Sequence, residues 1–279
     1  MSTSDALSGI LGWISIATWV VVYSPQIYEN WRLKSGEGLS VPFVVIWLLG
    51  DLCNLVGASM AGLLPTVIIL ALYYTLCDTI LLVQIYYYRW ASRTDGDVPN
   101  ATFHQDADEE APLLASSDAR HPGDEKHSSM KRQCLEYSAM VVCVVAAGVA
   151  AWAISEKVGH VEEQPKEGEV VEWRSQLMGY ISAVLYLGSR VPQILKNLDT
   201  KCEGLSPAMF VFSIMGNVTY GLSICVSSME WEHLVVNASW LAGSLLTVFL
   251  DVLVLGQFVY YRRAQAGSTV GQVERREVR

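Results

Sequence analysis

Long apolar runs separated by short polar segments make up most of this chain. The runs lie at roughly residues 8–28, 41–62, 64–88, 135–154, 175–196, 206–228 and 237–260. Each is long enough to cross a bilayer as a helix, which takes about 20 residues. Of the 279 residues, 52% are hydrophobic and 17% are charged, where soluble proteins have about 25% charged residues. The pattern therefore predicts an all-α membrane protein with seven transmembrane helices.

Polar residues inside these runs occur twice in the same order. Pro25-Gln26 and Pro192-Gln193 each lie near the end of an apolar run, with an Asn four residues after Gln and a Gly-Leu-Ser soon afterwards. The other matches are Gly50-Asp51 with Gly216-Asn217, Asp78 with Asp251, Gln84 with Gln257, and the Tyr-Tyr-Arg sequences that end at Arg89 and Arg262. Unrelated apolar segments do not share polar residues in a constant order, so the pattern predicts an internal duplication.

The duplicated units cover helices 1–3 and 5–7, and helix 4 has no counterpart. A unit of three spans ends on the opposite side of the membrane from its start, and the additional helix restores the starting side. The two units are therefore predicted to be parallel repeats in a 3+1+3 arrangement. The predicted division is a first repeat at 1–90, a disordered polar loop at 91–133, a linker helix at 134–155, an acidic loop at 156–174, a second repeat at 175–263 and a tail at 264–279.

The basic residues predict the orientation. Lys157, Lys166 and Arg174 lie on one side of the membrane and Arg190 lies inside a span, while the rest of the nineteen Lys and Arg residues lie on the other side. By the positive-inside rule, the N-terminus is luminal, and the 91–133 loop and the C-terminus are cytosolic. The net charge of −9 indicates little about partners, because the acids are mainly in loops, and no nucleic-acid partner is predicted.

The paired prolines are candidates for a hinge. Proline removes a backbone donor and crowds the carbonyl one turn earlier, and glutamine can help to satisfy backbone groups near the resulting kink. Helices 1 and 5 both run toward the cytosol, so Pro25-Gln26 and Pro192-Gln193 are expected to kink both helices at one depth. Two matched kinks predict a paired hinge and gate. The alternative is that the prolines only shape the helices.

Asp51 is the main candidate for substrate binding. It lies at the middle of helix 2, where a carboxylate costs about 2.5–3.5 kcal/mol to insert, and its counterpart Asn217 lies at the middle of helix 6. One anion facing one amide suits a cationic ligand with further polar groups. Asn54 shares a helix face with Asp51, and Tyr220 is its counterpart in helix 6. The alternative is a structural role in which Asp51 joins two helices.

Asp78 and Asp251 form a second matched pair on the cytosolic side of mid-membrane. One of them is expected to pair with Arg190, which precedes the second Pro-Gln. An ion pair made in one conformation would act as a switch, whereas one made in every conformation would be structural. A carboxylate at this position can also carry a proton, which would couple transport to protons.

The pattern resembles the PQ-loop repeat family, which has seven helices arranged 3+1+3 and one Pro-Gln motif in each repeat. The resemblance covers nearly all of the membrane part. Within the family, WLLGDLCNLVG, YYTLCDTILLVQIYYY and WLAGSLLTVFLD are similar to the vacuolar and lysosomal basic amino-acid transporters. Cystinosin and the SWEET sugar carriers have related architectures, but the Gly-Asp-x-x-Asn of helix 2 favours the basic amino-acid branch.

The 91–133 loop contains a sorting signal. Glu109 precedes Leu113-Leu114 by four residues, which is the acidic dileucine pattern that sorting adaptor complexes bind. Together with the resemblance, it implies delivery to the vacuolar or lysosomal membrane.

The sequence therefore predicts a carrier that moves arginine, lysine or histidine by alternating access. No catalytic constellation and no metal-ligand cluster is recognisable, so neither an enzyme nor a cofactor is predicted. One alternative is a seven-helix receptor or nutrient sensor that recruits cytosolic partners through the 91–133 loop. Another is a carrier for a different small solute, such as cystine.

Overall fold

The computed structural model describes residues 3–60, 65–96, 122–158 and 173–277. Within these ranges the regular structure is helical and contains no strand. The helices are α1 (Thr3–Val21), α2 (Ser24–Leu33), α3 (Val41–Met60), α4 (Pro65–Gly96), α5 (Pro122–Val158), α6 (Trp173–Thr200), α7 (Pro207–Ser227), α8 (Trp231–Val236) and α9 (Ala238–Glu277). The prediction of an all-helical protein is confirmed for the described residues.

Within the described ranges, six helical segments are long and apolar enough to cross a membrane. They are Thr3–Leu33, Val41–Met60, Ile68–Arg93, Leu135–Lys157, Pro207–Ser227 and Leu241–Gln265. The predicted fifth span corresponds to α6, which has 28 residues and is not one of the six. Its apolar sequence is interrupted by Arg190, Gln193 and Asn197, and all three side chains are buried among the other helices.

Several helices extend beyond the apolar runs that predicted them. Helix α5 begins at Pro122, although the linker helix was expected to begin at 134, and α9 continues to Glu277, although a tail was expected from 264. An α-helix satisfies its own backbone hydrogen bonds, so it can continue into polar sequence beyond the apolar run. The predicted sorting residues, Glu109, Leu113 and Leu114, lie outside the described residues, as does most of the acidic loop.

The two Pro-Gln motifs have different local structures. The first predicted helix is broken, because α1 ends before Pro25 and this proline lies in the first turn of α2. Helix α6 instead continues through Pro192. The proline ring crowds the carbonyl one turn earlier, where α1 has Val21 and α6 has Gly188. We attribute the difference to glycine, whose backbone adjusts more freely than that of a β-branched residue. The two prolines therefore do not interrupt their helices in the same way, and two kinks at one depth stay a prediction.

The packing of the helices follows the sequence duplication. Helix α1 packs on α7, and its counterpart α6 packs on α3, so each contact joins one unit to the other. Within the units, α3 packs on α4, α7 packs on α9, and the unmatched α5 packs on α1. The core contains Phe43 and Phe210, whose ring centroids are 6.3 Å apart across the two units. Arg190 lies beside this core, over the ring of Phe43.

Candidate functional site

Four ionisable side chains are buried together in the helical bundle. They are Asp51 on α3, Asp78 on α4, Arg190 on α6 and Asp251 on α9, with relative exposures of 2%, 0%, 1% and 0%. We call them the charged cluster. Unpaired charges are very costly to bury in an apolar interior, so the contacts of each one indicate what balances it.

Arg190 donates hydrogen bonds to three helices of its own unit, which are α6 itself, α7 and α9. Its Nε donates to Asp251 Oδ1 at 3.0 Å, and its Nη2 donates to Ser213 Oγ at 3.2 Å. Ser213 in turn donates to Asp251 Oδ2 at 2.5 Å. Nη1 donates to the carbonyl oxygen of Tyr186 at 3.0 Å and to Ser189 Oγ at 3.1 Å. The sequence left Asp78 or Asp251 as the partner of this guanidinium, and the structure pairs it with Asp251.

Aromatic rings cover the same guanidinium. Arg190 Cζ lies 4.9 Å from the ring centroid of Trp47 and 5.7 Å from that of Phe43. Both rings belong to α3, and the face of an aromatic ring attracts a cation. A carboxylate, a hydroxyl group and aromatic faces together therefore form a receptor for a guanidinium group inside the protein.

Asp51 accepts hydrogen bonds from two tyrosine side chains. Tyr186 Oη donates to its Oδ1 at 2.5 Å, and Tyr23 Oη donates to its Oδ2 at 3.2 Å. Gly50 makes the first contact possible, because a Cβ at this position would lie 2.7 Å from the Tyr186 ring. Tyr186 belongs to α6, so Asp51 is joined to the other unit.

Asp78 has no such partner. Both of its carboxylate oxygens are buried, and neither has a hydrogen-bond partner. The side chains of Asp51 and Tyr23 approach it closely without forming a hydrogen bond of normal geometry, and Asp51 and Arg190 are near enough to interact with it electrostatically. Asp78 is thus the one member of the charged cluster whose polar atoms are left unsatisfied.

The other predicted substrate ligands do not join this cluster. Asn54 is half-buried, and among the described residues its side chain makes no hydrogen bond. Asn217 Nδ2 donates to Ser213 O of its own helix at 2.9 Å, and Tyr220 is half-buried. No hydrogen bond in the described part of the chain joins either of them to Asp51.

Sequence reasoning missed Tyr23 and Tyr186 as partners of Asp51. Tyr23 stands two residues before Pro25, as Arg190 stands two residues before Pro192, so a complete alignment of the two repeats would have drawn attention to it. Tyr186 carried no comparable signal, since a tyrosine in an apolar run is common.

The first Pro-Gln motif binds the opposite unit. Gln26 Nε2 donates to Gly204 O at 3.1 Å, and its Oε1 accepts the Ser206 backbone N–H at 2.7 Å. Its second amide proton goes to Asn30 Oδ1 at 2.8 Å, which uses the remaining donor of the side chain. Gln26 therefore bonds to the other repeat's Gly-Leu-Ser, and not to the backbone near its own helix break as expected.

The second motif makes the same contacts with the two units exchanged. Gln193 Nε2 donates to Gly38 O at 3.1 Å, and its Oε1 accepts the Ser40 backbone N–H at 2.7 Å. Its second amide proton goes to Asn197 Oδ1 at 2.9 Å. We call the contacts of Gln26 with Gly204 and Ser206, and of Gln193 with Gly38 and Ser40, the PQ clasp. The sequence duplication is thus matched by a duplicated hydrogen-bond pattern.

Further amides connect the PQ clasp to the third helix of each unit. Asn30 Nδ2 donates to Gln84 Oε1 at 3.1 Å, and Gln84 Nε2 donates to Ile27 O at 3.1 Å. The counterparts are Asn197 Nδ2 to Gln257 Oε1 at 2.9 Å and Gln257 Nε2 to Ile194 O at 3.1 Å. The repeated Gln and Asn residues therefore form one continuous amide network in each unit.

Two glycines allow the Gly-Leu-Ser segments to meet. A Cβ on Gly38 would overlap the backbone carbonyl of Gly204, and Gly204 itself has a φ of +70° that favours glycine. The backbones of the two segments therefore touch directly. A larger residue at either position would separate the two halves of the PQ clasp.

Ion pairs lie beside the PQ clasp. Glu37 is 2.6 Å from Arg89 Nε of its own unit and 3.6 Å from Lys196 Nζ of the other unit. Hydrogen bonds from Arg89 lower the pKa of the Glu37 carboxyl below its ordinary value. Lys196 Nζ also donates to Leu39 O at 2.8 Å. Exposed pairs of this kind contribute little to stability, but they add a further link between the units.

Comparison with known proteins supports a transport role. A family model described as "PQ loop repeat" matches residues 7–67 and 175–233. The vacuolar lysine transporter YPQ1 of Saccharomyces cerevisiae is 39% identical, over 93% of this chain and 94% of that protein. The vacuolar arginine/histidine antiporter YPQ2 of the same yeast is 31% identical, over 92% and 87%. The lysosomal amino acid transporter 1 homolog of Homo sapiens is 30% identical, over 95% and 86%.

Proposed function

Because this chain belongs to the PQ-loop repeat family, we propose that it carries cationic amino acids of the arginine, lysine and histidine class across the vacuolar or lysosomal membrane. Of the relatives that match nearly its whole length, the two yeast proteins are named as vacuolar transporters of lysine and of arginine and histidine, and the human protein as a lysosomal amino acid transporter. It is a multi-pass membrane protein. A transporter needs no catalytic residues, and we propose none.

The excess of buried carboxyl groups inside the helical bundle is the observation that supports a cationic substrate. Three carboxyl groups, Asp51, Asp78 and Asp251, are buried beside Arg190, the one buried cation of the described residues. A positively charged substrate would therefore offset part of the excess negative charge of these buried carboxyl groups. Asp51 remains a proposed substrate-binding residue, through the negative charge that it places in the site. Asn54, Asn217 and Tyr220 remain candidates for a conformation in which α3 and α7 are rearranged, since none of them bonds to Asp51 here.

We further propose that α6 is a seventh span, which gives the 3+1+3 arrangement with a luminal N-terminus and a cytosolic C-terminus. The packing of α6 on α3 and α9 supports this, because a helix surrounded by spanning helices lies at their depth. Its polar residues are satisfied inside the bundle by the PQ clasp and the charged cluster, so they do not prevent it from crossing the membrane.

Alternating access is the proposed mechanism. The charged cluster is buried in the described conformation, and the PQ clasp joins the ends of the units on the side that we assign to the cytosol. Release of the PQ clasp, with bending at the α1–α2 break and at Pro192, would open the cluster to that side. Asp78, Arg190 and Asp251 are candidates for a proton or ion-pair switch during this step.

Sorting adaptor complexes are proposed partners through Glu109, Leu113 and Leu114. Changing both leucines to Ala should redirect the protein from the vacuole or lysosome to another membrane, without loss of folding. Microscopy of tagged protein measures the localisation, and transport by the purified variant shows that it is folded. Unchanged localisation would show that this motif is not the sorting signal.

Uptake by proteoliposomes tests the proposed function directly. Purified full-length protein should take up labelled arginine, lysine or histidine faster than protein-free liposomes, with glutamate and leucine as substrate controls. A pH gradient applied in either direction tests coupling to protons. Uptake of cystine in preference to all three cationic amino acids would instead support the alternative carrier.

A further inference from the structure

The two halves of the charged cluster differ in what stands beside the aspartate of the third helix in each unit. Asp251 and Asp78 occupy matched positions in the duplication, as do Arg190 and Tyr23. In the second half, Asp251 is paired with the guanidinium of Arg190 at 3.0 Å. In the first half, the matched residue is the neutral Tyr23, which donates to Asp51 and leaves Asp78 without a hydrogen bond.

The surroundings of Asp78 resemble those of the Arg190 guanidinium. Tyr74 precedes Asp78 by one turn of α4, and its ring centroid lies 6.1 Å from that of Tyr23. The Tyr23 ring lies 5.2 Å from Trp47, which also covers Arg190. A cation beside Asp78 would therefore have aromatic neighbours of the kind that Arg190 has beside Asp251.

We propose that Asp78 receives the guanidinium or ammonium group at the end of the substrate's side chain, in the place that Arg190 takes beside Asp251 in the other half. This inference rests on the proposed function and specifies how that function recognises its substrate. Asp51 is already hydrogen-bonded to two tyrosines, so it positions Tyr23 and Tyr186 and adds negative charge beside the substrate. Arg190 already fills the second half-site in this conformation, so the carrier has one cation site here and not two.

Substitution of Asp78 tests this assignment. Asp78→Asn should weaken binding of labelled arginine and lysine to the full-length protein in detergent by about 100-fold, because a hydrogen-bonded charge pair is lost. Asp199→Asn makes the same chemical change at an exposed position of α6 and should bind as the wild type does. An amide imitates a protonated carboxyl group, so unchanged binding by Asp78→Asn would overturn the proposal and leave Asp78 as a proton carrier.

A second variant tests the site by supplying the cation from the chain itself. Tyr23→Arg places a guanidinium at the position that Arg190 holds in the other repeat, where it should pair with Asp78. This variant should keep its thermal stability and lose substrate binding, and adding Asp78→Asn to it should lower its melting temperature. Tyr23→Phe removes the hydroxyl without adding a cation and should retain measurable binding.

The outcomes separate this inference from the proposed function. Wild-type protein that neither binds nor transports any cationic amino acid contradicts the proposed function. The stability comparison of Tyr23→Arg with and without Asp78→Asn still decides whether Asp78 accepts a cation. The inference is wrong if Tyr23→Arg binds arginine as the wild type does. It is also wrong if adding Asp78→Asn to Tyr23→Arg leaves the melting temperature of that variant unchanged.

Discussion

At the scale of single residues, the buried carboxylates differ in what already satisfies them. Asp251 has a guanidinium and a serine hydroxyl, and Asp51 has two tyrosine hydroxyl groups. Asp78 has no hydrogen bond from the described residues. A buried charge that lacks a partner is costly, so the least satisfied carboxylate is the one that gains most from a cationic substrate.

Asp51→Asn should nearly abolish transport of arginine and lysine while leaving the protein in its membrane. The amide has one acceptor oxygen where the carboxylate has two, so one tyrosine loses its partner, and the negative charge beside the substrate is also lost. Uptake by proteoliposomes should fall by at least about tenfold, which corresponds to about 1.4 kcal/mol. Asn217→Ala should have a smaller effect, because that amide bonds to its own helix. Normal arginine and lysine transport by Asp51→Asn would contradict recognition by charge.

The amide of Gln26 gives a second prediction at this scale. Gln26→Leu leaves the Ser206 N–H and the Gly204 carbonyl without their partners, at a cost of about 1–3 kcal/mol for each group. The PQ clasp should therefore open. Cys202 reports this opening, since it lies in the same turn and is 5% exposed, and burial raises the pKa of its thiol to about 11.

Opening of the PQ clasp should lower the pKa of the Cys202 thiol toward its ordinary value and so increase its thiolate fraction at neutral pH. The parent for this experiment is a protein in which every cysteine except Cys202 is replaced by Ala. We expect a maleimide added from the cytosolic side to label Cys202 at least about tenfold faster in Gln26→Leu than in this parent. Gln193→Leu should act similarly through the matched contacts. Thr79→Val, which removes an exposed hydroxyl bonded within its own helix, is the control. Equal labelling in all four proteins would show that the PQ clasp does not hold this end closed.

At the scale of helices, the two Pro-Gln motifs share hydrogen bonds but differ in backbone structure. The first motif separates α1 from α2, whereas the second lies inside the continuous α6. The two arms of a hinge built from them are therefore unequal. Helix α1 can bend at a break that already exists, and α6 must bend at a residue that lacks one backbone hydrogen bond.

Pro25→Leu should join α1 to α2 and slow the exchange between conformations more than Pro192→Leu does. We expect the transport rate of Pro25→Leu to fall by at least about tenfold, or about 1.4 kcal/mol on the barrier. Substrate affinity should change less than the rate, because Asp51 and Asp78 belong to α3 and α4. Equilibrium binding and uptake are measured on the same purified variant. Loss of both in equal proportion would indicate that the prolines only shape the fold.

The repeated polar residues were recognisable from the sequence, but their partners were not. Matching Gln26 with Gln193 and Gly-Leu-Ser with its copy correctly identified the residues of the PQ clasp. Each glutamine was nevertheless expected to bond within its own unit, because sequence spacing describes neighbours along a helix and not across an interface. For the same reason the contacts of Tyr186 with Asp51 were not foreseen. The helix break at Pro25 depends on the residue one turn earlier, which the motif itself does not include.

At the scale of the whole molecule, the number of spans decides the topology. Six helices of the part of the chain that the structure describes qualify as spans by length and apolar composition, and α6 does not. An even number of spans would place both ends of the chain on one side of the membrane, and an odd number would place them on opposite sides. The ends of the chain therefore report whether α6 crosses.

We expect the two ends to lie on opposite sides. A hydropathy average counts Arg190, Gln193 and Asn197 against α6 as if they faced lipid. All three are buried and hydrogen-bonded to other parts of the bundle, so their polarity does not oppose insertion. In sealed vesicles with the cytosolic face outward, protease should remove a C-terminal tag and spare an N-terminal tag. Protease should also cut the 91–133 loop and spare the 156–174 loop. Detergent should expose every site, which controls for resistant structure. Protection of both tags in intact vesicles, or removal of both, would mean an even number of spans, so that α6 does not cross and the two units are not parallel.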